Sequence, residues 1–486
     1  MSDLEDFINQ PGRAERVREV GKFAVSLGVE LIYFQYISVT GRIIGKAIPV
    51  EHWENVAQKG VQTVYGAVTH AFADRHGEFL GFDTTQSELV AIPEPETFCQ
   101  LPWNKAMGRV FCTLFRNRED REDPGGIFTA DCRGNLRRAS EKFAEDHDGL
   151  QLRLGCEPEM LWLNRGPDGK PDGGPTKPYA YHIDQFEVLS GVVLSVHRYG
   201  KAMGLDMIQA DHEDAPGMME QNWQYDDCLR TADRLTTFRQ ICAQVARENN
   251  LIAMFMAKSF EGVSGNGCHH NMSLWRGGAD EAVAPAIDPL PGSSEIYAYS
   301  KGGRNVYASE GDEWMPSPLG LNCIAGLVKH MPALTAIGCS TVNSYRRMME
   351  TGLWAPVFAD WGLQNRTCGL RVSSPDRMEY RAVDSMVNPY LMSAALLAAF
   401  DDGLKNNLDA GEPETRSAYE LRAEGKAQLP MNLGDALDAL DADKLIKAAL
   451  PGDMYRCYEH YKRDEWERFN ATLTEWDIDT YLDCLP

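Results

Sequence analysis

The segment 151–164, QLRLGCEPEMLWLN, limits more than any other how this chain can fold. It is apolar along most of its length, yet carries Glu157 and Glu159 near its centre. Side chains two apart on a strand share a face, so both carboxylates point the same way. Two acids on one face of an apolar strand repel, and burying them is costly unless a cation lies between them. Pro158 has no N–H to give a ladder, which predicts an edge strand or a bulge there. Two exposed acids on an edge strand are the alternative reading of this segment taken alone.

Three further clusters carry chemistry. In His212-Glu213-Asp214-Ala215-Pro216-Gly217-Met218-Met219-Glu220, Pro-Gly suits the centre of a type II turn. A hairpin centred there sets Glu213 across from Glu220, an opposition of like charges that a metal would relieve. In residues 262–275, GVSGNGCHHNMSLW, small residues lead into His269 and His270 and then a strand. A histidine added to oxygen ligands suits Mg or Mn better than a zinc cage. The fourth cluster is six arginines between 346 and 381: Arg346, Arg347, Arg366, Arg371, Arg377 and Arg381. Guanidinium forks bind carboxylate and phosphate at two points. Together, five acids and one histidine beside anion-binding arginines describe a phosphoryl-transfer site that uses metal ions.

The formal net charge of −23 argues against a nucleic-acid binder with a broad basic surface, but not against anionic substrates met by a few placed arginines. No apolar run reaches the length of a membrane-spanning helix, and the polar start lacks the apolar core of a secretory signal. Twelve cysteines without CxxC spacing read as buried or free thiols. A cytoplasmic protein with no membrane and no nucleic-acid partner is expected.

Along the chain, residues 13–28 read as a helix closed by Gly28, and 29–50 as two strands joined at Thr40-Gly41. LVAIPE and MGRVFCTLF read as strands, and the polar run 117–126 as a linker. Residues 136–147 and 222–250 read as helices, as do 386–400 and a stretch from Met454 to about Phe469. The expected division is a small α+β domain over 1–120 and a larger one over 121–486.

The order GxEPEM, HEDAPGMMEQ, GxSGNGCHHNMSLW, NSYRR, NRTxGLR, MEYR and NPYL resembles the glutamine synthetase superfamily, class I. In kind it is nearest to γ-glutamylanilide and γ-glutamylamide synthetases. The resemblance implies an α+β fold, with an N-terminal β-grasp domain and a C-terminal catalytic domain. That catalytic domain is a distorted, incomplete barrel of strand pairs flanked by helices. It implies a homo-oligomeric ring, commonly a dodecamer, with each active site shared between subunits.

It also implies the substrates ATP and L-glutamate, with two to three Mg2+ or Mn2+ ions per site. Glu159, Glu213 and Glu220 match the ligands of one metal, and Glu157, His269 and Glu379 those of another. Gly265, Arg347 and Arg381 match positions that hold glutamate. Arg366 and Arg371 match those facing the ATP phosphates, with Arg366 and Arg347 in catalytic roles. Ser273 matches the adenine position, and Asn271 stands where the family has a phosphate-facing histidine. The implied reaction forms γ-glutamyl phosphate, which an amine then attacks to give a γ-glutamyl amide.

Two departures bear on the amine. Ser38 stands where ammonia-using relatives carry an Asp, and Trp354, in Thr351–Pro356, where they carry a Glu. A pocket without both acids, and with an indole added, disfavours ammonium and suits an amine with an apolar or aromatic body, such as aniline. The expected function is therefore a glutamate–amine ligase for a bulky or aromatic amine, serving amine (aniline) catabolism. The alternatives are a true glutamine synthetase using ammonia and a non-catalytic structural or regulatory member.

Overall fold

The computed structural model describes residues 2–69, 73–79, 85–277, 281–283, 299–309, 311, 314–349 and 354–483. Helix α1 (Arg13–Ser26) follows the apolar spacing of its sequence, burying Val17, Val20 and Ala24. Strands β1 (Leu31–Ile37) and β2 (Ile43–Pro49) form the expected hairpin, paired from Leu31–Pro49 to Ile37–Ile43. β1 also runs parallel to β4 (Met107–Arg116), which pairs antiparallel with β3 (Leu89–Pro93). With Val61–Thr63 and Cys99–Gln100 added, these make a six-stranded sheet among the described residues, in the order β2–β1–β4–β3. The polar run 117–126 is an ordered loop, in which the Asp120 carboxylate accepts the Glu122 and Asp123 N–H groups and meets Arg116.

A second sheet holds β5 (Leu150–Asn164), β6 (Met207–His212), β7 (Met218–Trp223), β8 (Leu251–Met254), β9 (Cys268–Arg276), β10 (Trp361–Leu363), β11 (Leu370–Ser374) and β12 (Arg377–Tyr380). Its order is β10–β11–β12–β9–β5–β7–β6, with β8 pairing to β5. Helices α2 (Cys132–Asp146), α3 (Ile183–Ala202), α4 (Cys228–Glu248), α5 (Pro318–Gly338) and α6 (Pro389–Lys405) flank it, so the fold is mixed α+β with an incomplete, curled sheet. α4 buries Leu235, Phe238, Ile241 and Val245 at helical spacing, with Phe238 5.2 Å from Trp223 between ring centres.

Three expectations change. The helical pattern read from residue 222 begins only at Cys228, because Met218–Trp223 is committed to β7 and the Asp227 side chain caps the helix at the Arg230 N–H. Pro158 is on neither an edge nor a bulge: β5 is the middle of the sheet. Glu159 gives its N–H to Gly267 on the β9 side, so the missing Pro158 N–H faces the other flank. There, pairing to Asp226–Asp227 covers only Arg153 and Leu154, and β7 joins only at Glu159, so no ladder bond is lost.

The hairpin register is also shifted by two. Pro216 and Gly217 do centre a turn, with φ +78° at Gly217 and the Met218 N–H bonded to the Ala215 carbonyl. Ala215, however, is drawn into an apolar cluster with Leu161, Leu163 and Met218. Pairing therefore resumes at His212–Met219, and Asp211 lies across from Glu220. A shift of two leaves every side chain on its original face, so Glu213 still faces the same side.

A buried ion network ties the smaller sheet to the helices. Glu94, just after β3, meets Arg133 of α2 at 2.5 Å and also Arg137, while Arg133 meets Asp233 of α4 at 2.8 Å. Burial alone would raise the Glu94 carboxyl, but Arg133 and Arg137 outweigh it and hold it far below the usual carboxylate range. Among the described residues no helix is long and apolar enough to cross a membrane. The eleven described cysteines are all buried and free; Cys484 lies outside the described residues.

Candidate active site

The second sheet lines up functional side chains as cross-strand neighbours. Glu159 on β5 lies directly opposite Glu220 on β7, and Glu157 directly opposite His269 on β9. Asn271 lies opposite Glu379 on β12, and Glu379 opposite Arg371 on β11. Facing pairs on one side of a sheet stand about 5 Å apart at Cβ, close enough to share an ion. All these side chains line one cleft of about 680 Å³, together with Glu213, Gly265, Arg347, Trp354, Arg366 and Arg381.

The ligating atoms of Glu157, His269 and Glu379 lie within 4.8 Å of one another. His269 Nδ1 is 3.7 Å from Glu157, 3.6 Å from Glu379 and 4.0 Å from Glu159. Glu159 accepts the Gly267 N–H at 2.6 Å, and Glu220 accepts from the Asn222 amide at 2.7 Å. Burial pushes the Glu213 carboxyl up to about 8, and Glu159, Asp211 and Asp214 push the same way. Glu220 rises well above the usual range, through burial first and then Glu157 and Glu159. Glu159 is raised by burial too, with Arg347 opposing. Glu379 is the exception: burial raises it, but the Arg381 and Arg371 guanidiniums prevail and hold it low. Burial, then Arg381, keeps His269 far below its usual range, in the neutral form that binds metal. Close carboxylates that resist ionisation, around a neutral imidazole, fit divalent cations with oxygen and nitrogen ligands.

The arginines divide by commitment. Arg371 donates to Glu379 at 2.8 Å and to Gln364 at 2.9 Å. Arg381 also meets Glu379, and its other amino group donates to the Trp354 carbonyl at 3.1 Å, tying this part of the segment 351–356 to the acid row. Thr351, Gly352 and Leu353 lie outside the described residues. Arg366 is exposed at the cleft and has no ion pair among the described residues. Arg347 reaches His269 Nε2 at 3.4 Å; its side chain packs on Gly265, where an added Cβ would fall 3.0 Å from Arg347 Cγ and 2.4 Å from the Ala257 carbonyl oxygen. Only glycine fits that approach.

Two expected residues are not brought to this cleft. Ser38 is buried at the β1–β2 turn, outside this chain's own cleft lining, and its hydroxyl accepts the Arg42 N–H at 3.1 Å. Ser273 lies on β9 two residues beyond Asn271, outside the cleft lining, and accepts the Trp275 indole N–H at 2.8 Å. Asn271 donates to Glu157 at 2.8 Å and accepts from Arg377, which fixes a metal-side carboxylate. Arg346 lies away from the cleft, over the Phe469 ring.

Asp211 and Tyr181 are among the cleft residues that went unnoticed in the sequence. Asp211 alternates with Glu213 in D-H-E, a pattern that a strand places on one face, and so was findable. Tyr181 has no such signal. It holds φ +61° because its N–H bonds the His212 carbonyl at 2.7 Å, and it stands beside Glu213 and Arg366. Thr176 secures this loop, accepting the Gly217 N–H at 2.6 Å and contacting His212 Nε2 at 2.7 Å.

The sequence pattern of the glutamine synthetase catalytic domain matches residues 129–300 and 295–481. The chain belongs to the glutamine synthetase family. A glutamine synthetase of Methanocaldococcus jannaschii is 30% identical over 97% of this chain and 99% of its own length. A glutamate–methylamine ligase of Methyloversatilis universalis is 30% identical, over 96% of this chain and 99% of its own length. Among solved structures, a GmaS/ADP complex superposes with a TM-score of 0.81 at 29% identity, over 96% of this chain and 99% of that one. GmaS without ligand gives 0.80 at 30% identity, with the same coverage of both chains.

Proposed function

We propose that this ATP-dependent glutamate–amine ligase takes a primary amine with an apolar body, of the methylamine class, and makes its γ-glutamyl amide. The observation that carries the ligase chemistry is the row Glu220–Glu159, Glu157–His269 and Asn271–Glu379–Arg371 on paired strands. In this reading Glu157, His269 and Glu379, and Glu159, Glu213 and Glu220, hold two to three Mg2+ or Mn2+ ions. When bound, these neutralise phosphate charge and favour transfer. Gly265, Arg347 and Arg381 hold the carboxylates of glutamate, and Arg366 and Arg371 face the phosphates of ATP. The γ-carboxylate attacks the terminal phosphate and ADP leaves. The amine nitrogen then attacks the acyl carbon of γ-glutamyl phosphate, phosphate leaves, and the amine proton passes to a carboxylate.

An alkyl amine arrives as a cation and needs such a base. Asp211, Glu213 and Asp214 line the same cleft as Trp354, which supports an alkyl amine even without the family's two ammonium-side acids. The 30% identical glutamate–methylamine ligase favours the same class. A second reading, an aromatic amine such as aniline, rests on the Trp354 indole, 56% exposed in a cleft that Tyr181 also lines. We further propose that the chain divides near residue 120 and works as a ring in which subunits complete one another's sites.

One assay tests the amine. Phosphate release and product mass are measured with ammonia, methylamine, longer alkylamines and aniline. Methylamine or another small alkylamine as the best acceptor supports the first reading, and aniline the second. Ammonia as clearly the best acceptor contradicts both. Trp354→Glu is expected to move preference towards ammonia.

A further inference from the structure

Glu157 differs from the acids around it. Its side chain is 30% exposed, against 12% for Glu159 and 3% for Glu379, the other two acids near His269 Nδ1. Glu159 is held by the Gly267 N–H and Glu379 by two arginines. Glu157 accepts a side-chain hydrogen bond from Asn271 alone among the described residues. It repels Glu159, Glu220 and Glu379 as they ionise, so without a tether it would swing towards solvent. Asn271 sits opposite Gly155 on β5, which has no side chain to meet it, so its amide reaches along the same face to Glu157, two residues on. Arg377 Nε, which can only donate, meets Asn271 Oδ1 at 3.1 Å, and this turns the amide NH2 to Glu157. That NH2 grips Glu157 Oε1 at 2.8 Å and leaves Oε2, the oxygen 3.7 Å from His269 Nδ1, open.

We propose that Asn271 is a positioning residue for the ion held by Glu157, His269 and Glu379: it aims Glu157 Oε2 at the other two ligands, in place of the phosphate contact expected at this position. The inference rests on the reading of those three residues as a metal group. A glutamate loses rotamer freedom when it binds a cation, and a tether that fixes it beforehand removes that cost from binding. Partners that orient metal ligands in this way govern metal affinity. The amide is neutral, so Asn271 does this without adding charge to the cleft, while Arg377, at the start of β12, keys which way the amide turns. A direct contact with phosphate would act only once nucleotide is present. A tether on Glu157 acts before it.

The test measures Mn2+ binding to the full metal-free chain without nucleotide, by the electron paramagnetic resonance signal of free Mn2+, alongside thermal melting of the metal-free chain. Asn271→Ala is expected to weaken one Mn2+ equivalent at least about tenfold and leave any other within about twofold. Its metal-free melting temperature is expected to stay within about 2 °C of wild type. Asn271→Leu, close in shape to asparagine but without a donor, is expected to do the same and stands in should the alanine variant not fold. Mn2+ affinity equal to wild type in a folded variant overturns the proposal, as does a weakening shared by every equivalent. A lower metal-free melting temperature with unchanged Mn2+ affinity assigns Asn271 to the fold alone and overturns it too. Folded wild type that takes up no Mn2+ defeats the reading of the metal group itself, and this inference with it.

Discussion

Beside β3, the enclosed Glu94 carboxylate meets Arg133, Arg137 and Thr113, and Arg133 in turn meets Asp233. In the cleft, Glu157, Glu159, Glu213, Glu220 and Glu379 crowd around one neutral histidine. There, two arginines are spent on Glu379 alone. The two groups are both buried and both rich in charge, but the protein balances only the first. Glu94 is held ionised by its partners, whereas Glu159, Glu213 and Glu220 are pushed towards the neutral acid. Balance marks a group whose task is to hold the fold. Imbalance marks one whose missing charge comes from outside.

Breaking the balanced group should cost most. Arg133→Met leaves Glu94 and Asp233 without their shared cation, and about 3–5 kcal/mol of stability is expected to go, with or without Mn2+. Denaturant unfolding in both conditions checks this. In the unbalanced group the loss should fall on activity instead. Glu157→Gln removes a charge from the closest ligand set and should lower turnover at least about 100-fold, about 2.7 kcal/mol, with the melting temperature of the metal-free chain little changed. Glu220→Gln sharpens the contrast: it removes repulsion from Glu159 and should raise metal-free stability by about 1 kcal/mol while abolishing most of the gain from Mn2+.

Both contrasts bear on what the sequence could disclose. The acid pairs, the histidine and the arginines were legible because strand alternation is a local rule: residues two apart share a face whatever the strand pairs with. Register was not local. Ala215 left the hairpin for an apolar cluster formed by residues 161 and 163, which no inspection of 212–220 alone would reveal. Pro158 misled for the same reason, since its missing N–H falls on the stretch of flank where β5 has no neighbour. Tyr181 came from a loop with no periodicity to read. The network of Glu94, Arg133, Arg137 and Asp233 joins residues up to 139 apart in sequence, so nothing marked its members as partners.

The imbalance of the cleft has a signed dependence on pH. A carboxyl with a folded value of about 8 and an unfolded value near 4.3 binds its proton more tightly in the native state. Its contribution to stability is whole below about pH 4.3 and is lost as pH rises through about 8. Glu94 has the opposite sign, but its titration lies below this window and leaves it flat.

The most direct test is therefore thermal melting of the metal-free chain between pH 5.5 and 8.5, with and without Mn2+. Without metal, stability should fall as pH rises, by up to about 1.4 kcal/mol per pH unit for each proton involved, and the gain from Mn2+ should grow over the same range. Metal-free stability that is flat or rises with pH, with an Mn2+ effect equal at every pH, would contradict the account of the cleft as a charge deficit awaiting cations.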